Sequence, residues 1–211
     1  EVQDSSFFLD EDGRNDQDRE WRADLRYFFL PVGAGANSVH AQCRFPARFV
    51  LVKRSLDLSN ADFPSVDCPD LLAYQARISA KSIWVVFVSD YLNNPASAFG
   101  HVLLYFGTDT GREKMLTDYS VGFEADIQGM SAAKYIPRGL SGGLIASYRI
   151  APLYDRVRKY EREEQRDLWL FHLQLNSDET DLLVKHLWEL KDVHFHYGFF
   201  QGNCAQKILS L

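Results

Sequence analysis

The residue in this sequence best suited to covalent chemistry is Cys204. It follows Asn203, a good helix N-cap, so Gly202-Asn203-Cys204-Ala205-Gln206 predicts a loop entering a helix with Cys204 at its first position. There the unpaired N–H groups and the positive end of the helix dipole favour a thiolate, and a pKa lowered into the reactive range is expected. The same amides, together with Asn203, could hold a developing oxyanion. The plain alternative is a small buried side chain that docks the helix onto a core.

A thiol nucleophile needs a base within hydrogen-bond reach, and the chain has six histidines. His172 alternates with apolar residues and reads as a surface or packed strand residue. His186 sits among good helix formers, and His40 lies near two cysteines. His194 and His196 form a His-x-His that could bind a metal, but no third ligand stands at a recognised spacing. His101 differs, because it follows Ser97-Ala98-Phe99-Gly100 and opens a strand, where a side chain can project into a cleft at the sheet's end. If that strand and the next form a hairpin with Phe106 opposite Met115 or Leu116, His101 faces Ser120 or Val121. Ser120 is then the polar candidate for orienting the base, with Asp118 and Tyr119 beside it; the alternative is an ordinary strand serine.

Those side chains need elements to carry them. Ile83–Val88 is a continuous β-branched and aromatic run, hence an inner strand. After a Ser89–Gly100 loop, His101–Phe106 is a second strand, Gly107–Gly111 a turn, and Met115–Val121 a third strand. Residues 129–143 read as Gly-rich loop and Leu144–Ile150 as a further strand. The charged stretch 154–167 reads as helix with i,i+4 ion pairs, and 169–175 as a half-buried strand. Ser177 is the expected cap of a helix running to about Asp192. Towards the N-terminus, Trp21, Leu25, Phe28 and Phe29 predict a helix over about 17–30, and 71–79 a second one. Residues 39–70, with three prolines, read as an irregular segment.

The 211 residues are 46% hydrophobic and 25% charged, a globular composition, and no apolar run approaches the length of a spanning helix. The net charge of −6 argues against nucleic acid and is concentrated in residues 1–24, leaving a neutral body. The chain begins at Glu1 without an initiator Met and reads as part of a processed or longer protein. Of three cysteines, Cys43 and Cys68 lie 25 apart in a loop-rich region. A Cys43–Cys68 disulfide with Cys204 free is favoured, worth roughly 3 kcal/mol of loop constraint. Three unrelated buried thiols in a cytosolic protein is the competing reading.

Several segments together carry a family resemblance. Asn94-Pro95-Ala96-Ser97-Ala98-Phe99-Gly100-His101, then Tyr154 to Trp169, then His186-Leu187-Trp188-Glu189-Leu190, then Phe199-Phe200 and Asn203-Cys204 occur in that order. The set resembles the Lnb N-terminal periplasmic domain from about residue 80 to the end, and Cys43-Arg44-Phe45-Pro46-Ala47-Arg48 resembles a segment that precedes it in some members. The resemblance implies a periplasmic, envelope-associated protein with an α+β, circularly permuted papain-like (NlpC-like) fold. Base histidine precedes nucleophilic cysteine in that order, as in the lecithin:retinol acyltransferase group. Characterised relatives are lipoprotein N-acyltransferases. Carried over, the nucleophile is Cys204 and the base His101. Many members have Glu where Gly202 stands here, and relatives usually continue well past the seven residues that follow Cys204.

The resulting expectation is a papain-like thiol domain over 80–211, truncated at its C-terminus, behind a disulfide-stapled segment 1–79. Its catalytic residues would be Cys204, His101, Asn203 and Ser120, with no metal or organic cofactor. Its partners would be a phospholipid acyl donor, a lipoprotein amino terminus and a membrane surface, with no nucleic acid. Alternatives are a thiol hydrolase (a peptidoglycan amidase or peptidase, or a lipase) and a non-enzymatic envelope module with a structural Cys204.

Overall fold

The computed structural model describes residues 2–33, 39–91, 100–108, 115–127 and 129–211. Six strands form one sheet: β1 (Ser82–Val88), β2 (His101–Gly107), β3 (Tyr119–Ala125), β4 (Leu144–Pro152), β5 (Leu168–Leu173) and β6 (Phe195–Tyr197). Their order is β5-β1-β2-β3-β4-β6, and every pairing is antiparallel. The helices are α1 (Gln17–Phe28), α2 (Ala41–Arg44), α3 (Pro46–Leu56), α4 (Pro69–Ile78), α5 (Ala132–Ser141), α6 (Leu153–Val157), α7 (Ser177–Leu190) and α8 (Cys204–Leu209). The chain is therefore α+β, as expected.

Strand alternation divides the core into two layers. Ile83, Leu104, Phe106, Val121 and Phe123 point to the face covered by Ile78 of α4, Val184 and Leu187 of α7, and Cys204 and Ile208 of α8. Val86, Val88, Leu103 and Tyr105 point to the opposite face, covered by Leu153 and Tyr160. Among the described residues no helix is long and apolar enough to cross a membrane.

Five local expectations need correction. Met115–Thr117 is a 3₁₀ turn, and β3 begins only at Tyr119. The Asp118 carboxylate accepts from the Tyr105 hydroxyl (2.9 Å) and from the Thr108 backbone N–H and hydroxyl (3.2 and 2.8 Å), which anchors the turn and delays the strand. Residues 132–141, expected as loop, form α5, because Gly139 serves packing rather than a turn: a Cβ there would collide with the Phe199 ring. The cap of α7 is Asn176, not Ser177. Its side chain accepts from the N–H of Asp178 and Glu179, and Glu179 reciprocates at the Asn176 N–H. Residues 39–70 are not irregular, since Pro46 and Pro69 each open a helix at a position where no N–H is needed. The stretch 154–167 is helical only to residue 163, with α6 continuing into a π-helical turn over Arg158–Glu163. β5 is present but is an edge strand, so Trp169 and Phe171 remain 59% and 56% exposed. The expected loop from 92 to 99 and the turn from 109 lie outside the described residues.

The N-terminal segment has a core of its own, built from Phe28, Phe45, Val52 and Phe63, and stapled by the expected Cys43–Cys68 disulfide, with Cα atoms 5.2 Å apart. Arg48 is its electrostatic hub. The guanidinium lies over Phe7 (4.4 Å) and Phe45 (4.2 Å) and meets Glu20 (2.5 Å) and Asp24 (3.4 Å). Two carboxylates share one cation, and burial raises the Asp24 pKa to about 6 despite Arg48. A carboxyl whose folded pKa is raised stabilises the fold below its unfolded value, and that contribution is lost as pH rises from about 3.8 to 6. Asp24→Asn is therefore expected to stabilise the chain by about 1–2 kcal/mol at pH 7.5 and to change little at pH 4. Thermal melts of both proteins at the two pH values check this.

Candidate active site around Cys204

Cys204 stands at the first position of α8, as its neighbours predict. The Asn203 side chain caps the helix, its Oδ1 accepting from the Gln206 N–H (3.0 Å) while its Nδ2 donates to the Phe199 carbonyl (3.2 Å). Gln206 closes the arrangement by accepting from the Gly202 N–H at 2.6 Å. These bonds orient the start of α8, so the described role of Asn203 is to aim the helix that carries the thiol.

The thiol is buried, with Cys204 only 7% exposed in the layer formed by Leu104, Phe106, Tyr197 and Phe199. Hydrogen bonding from the backbone of Val102, Ala205 and Cys204 itself reaches its sulfur. Together with Arg166 it favours the thiolate, yet burial outweighs both and pushes the Cys204 thiol up. The expected lowering is thus overturned, because the dipole and amide contributions are smaller than the desolvation of a charge in an apolar layer.

His101 is the first residue of β2 and opposes Val88 in the β1 ladder. Gly100 delivers it. Its φ of +83° is left-handed, and a Cβ would lie 2.8 Å from the Val88 carbonyl, so only glycine fits. Alternation sends the imidazole to the layer of Leu103 and Tyr160, whereas Val102, the next residue, presents its N–H to Cys204. The imidazole thus lies with the layer of Tyr160 and Cys204 with the opposite one, the two layers being separated by the sheet at β2. Burial drives the His101 pKa down to about 3, and Arg156, Arg166 and Lys159 push the same way. At neutral pH the site holds a neutral imidazole and a protonated thiol.

Ser120 does not face His101. It pairs with Tyr105, and its hydroxyl donates to the Ala151 carbonyl at 3.0 Å. The late start of β3 slides the register. The β2–β3 ladder ends at Leu103–Gly122, and the same register continued would bring Glu124 opposite His101. Glu124 in turn pairs with the buried Arg156. Arg156, Tyr160 and Arg166 are the neighbours that sequence reasoning missed. They lay in a stretch read as a charged helix with i,i+4 ion pairs, although the i,i+4 spacing of Arg156 and Tyr160 does put both on one face.

The other histidines are engaged elsewhere. His40 caps α2 by accepting from the Gln42 N–H, His172 packs at a tilt against Trp84 with centroids 4.6 Å apart, and His186 meets Glu189. His194 meets Asp4 at 3.1 Å, and His196 lies exposed on β6. Among the described residues no three His, Cys, Asp or Glu side chains come close enough to hold a metal ion.

On the Cys204 face of the sheet, α7 and α8 border an open apolar groove of about 520 Å³. Val85, Leu104, Leu173, Leu183, Ile208 and Leu209 line it, with Glu179 and His186 as its polar groups.

The architecture is thus an α+β fold on an antiparallel sheet, with a buried cysteine at a helix start and a histidine at a strand start. The family model for the Lnb N-terminal periplasmic domain matches residues 71–211, and the chain belongs to that family. A second family model, a domain of unknown function (DUF7843), matches residues 1–55. No curated protein matches the chain. No solved structure matches it either. The periplasmic family agrees with the Cys43–Cys68 disulfide, which suits an oxidising compartment.

Proposed function

We propose that this chain is a periplasmic, envelope-associated thiol acyltransferase with a circularly permuted papain-like arrangement, in which Cys204 carries the acyl group and His101 the proton. The observation that carries the reading is Cys204 at the Asn203-capped start of α8, with backbone hydrogen bonding, in part from the residue after His101, favouring its thiolate. Backbone amides so placed favour both a thiolate and a neighbouring oxyanion. In the first half-reaction, Sγ attacks the ester carbonyl carbon of a phospholipid while its proton passes to His101. The acyl C–O bond breaks, and the lysophospholipid alcohol leaves with that proton. In the second, an amine such as a lipoprotein amino terminus attacks the thioester. Its proton passes by His101 to the departing thiol, which restores Cys204 and leaves an amide.

The apolar groove on the Cys204 face favours a hydrocarbon-bearing donor over a cell-wall peptide, because only two of its lining side chains are charged or titratable. Trp169 and Phe171, exposed on the edge strand β5, suit contact with a membrane surface.

The test is mass spectrometry of the intact chain after incubation with phospholipid vesicles. A hydroxylamine-labile acyl mass on Cys204, discharged by an added diacylglyceryl-cysteine peptide to give an amide, is expected. Release of free fatty acid with no amide product would replace transfer by hydrolysis. Absence of any adduct, with both phospholipid and an activated acyl ester, would leave Cys204 a packing residue.

A further inference from the structure

An imidazole that acts on a proton is usually aimed by a hydrogen bond at its second nitrogen. In His101 the Nε2 atom is buried and has no hydrogen-bond partner among the described residues, so at that nitrogen it is packing that constrains the ring. The aromatic neighbour is Tyr160, 4% exposed, with ring centroids 6.1 Å apart at 52°. Tyr160 sits in the π-helical turn Arg158–Glu163, an irregularity that recurs at functional sites.

Its placement is fixed from several sides. The Arg166 guanidinium lies 5.0 Å over the Tyr160 ring, and the Arg166 backbone N–H donates to the Tyr160 carbonyl at 2.9 Å. Arg166 is itself clamped, donating to the Ser89 carbonyl (2.6 Å), the Val88 carbonyl (3.5 Å) and the Glu164 carboxylate (2.8 Å). Val88 is the residue that opposes His101 in the ladder. The contacts therefore close a circuit from His101 through Val88, Arg166 and Tyr160 back to His101. Arg156 also interacts with the phenol, and is held by Glu124 and by the Arg149 carbonyl. Burial pushes the phenol pKa up against Arg156 and Arg166, so Tyr160 stays neutral, and it lies close enough to Cys204 to feel its charge.

We infer that Tyr160 is a positioning residue: its ring is the wall against which the His101 imidazole is aimed towards the end of β2 where Cys204 lies, and Arg166 holds that wall to β1. The inference rests on the acyl-transfer reading of Cys204 and His101, and its test separates the two.

The measurement is the rate of iodoacetamide alkylation of Cys204 against pH in the full chain, for wild type, His101→Ala, Tyr160→Phe and Tyr160→Met. Met fills space without a fixed plane, so Tyr160→Met should slow alkylation at pH 7 about tenfold and bring its pH profile close to that of His101→Ala. Tyr160→Phe keeps the ring and should restore the rate to within about threefold. A wild-type profile for Tyr160→Met, with His101→Ala slowed, overturns the positioning role alone. Tyr160→Phe as slow as His101→Ala overturns the wall and transfers the role to the hydroxyl, a result that stands even if Tyr160→Met does not fold. If His101→Ala itself matches wild type, the Cys204–His101 reading fails first.

Discussion

Replacing Cys204 by serine should reduce acyl transfer by roughly 10⁴-fold or more, the scale of a lost nucleophile, while changing stability by about 1 kcal/mol or less. A hydroxyl at this position remains within reach of the N–H groups that face the sulfur, so the buried oxygen finds donors. His101→Ala should lower turnover by roughly 10²–10⁴-fold, because the thiol is held protonated by burial and its proton needs an acceptor. The pH dependence follows from the same burial. With the His101 pKa at about 3, its basic form is present throughout the neutral range, and no acid limb from this histidine is expected above about pH 4. Alkylation of Cys204 should rise only above the pH at which a free cysteine, with a pKa of about 8.5, reacts. Steady-state transfer assays, a labelling profile and urea denaturation check the set. Strong destabilisation by Cys204→Ser, together with unchanged labelling in His101→Ala, would make Cys204 structural.

The largest stability effect is expected at Glu189. Its side chain is 1% exposed and accepts from the N–H groups of Ala47 (2.7 Å) and Arg48 (3.0 Å), the unpaired donors in the first turn of α3, while meeting His186 at 3.3 Å. One carboxylate on α7 thereby caps a helix 140 residues away in sequence. It also joins the stretch matched by DUF7843 to the Lnb N-terminal periplasmic domain. Trp188 adds a bond to the Cys43 carbonyl (2.8 Å). Glu189→Ala leaves two N–H groups without their acceptor and should cost about 2–4 kcal/mol. Glu189→Gln, which keeps one acceptor oxygen, should cost about half as much. Urea denaturation reads the loss, and limited trypsin digestion should cut the first 70 residues faster in the alanine variant. A cost below about 0.5 kcal/mol would show that apolar packing alone holds the two stretches together.

Residue types and short-range spacing determined a good part of this protein. The β-branched run at Ile83–Val88 reads as an inner strand because alternating burial on both faces demands apolar residues throughout, and β1 lies between β2 and β5. Asn203 reads as a cap because its side chain competes for the first free N–H groups, and α8 begins at Cys204. Cys43 and Cys68 were legible as a pair from the odd cysteine count and their shared loop-rich setting.

Tertiary structure decided the rest. The β2–β3 register turned on Asp118, whose carboxylate gathers donors from the end of β2 and the residue after it and shortens the strand, so Ser120 fell away from His101. Local spacing cannot report where a long-range hydrogen bond will end a strand. The charge state of the site was equally beyond reach. Helix position alone predicts a lowered thiol pKa, but desolvation depends on what α4, α7 and the sheet stack around Cys204, and it has the opposite sign and the larger size. Arg156 and Arg166 stood, unremarked, in a stretch read only as a charged helix. They became interior charges because the chain continues from α6 through a π-helical turn over the end of β2, and burial of a cation is a property of that fold, not of its neighbours in sequence.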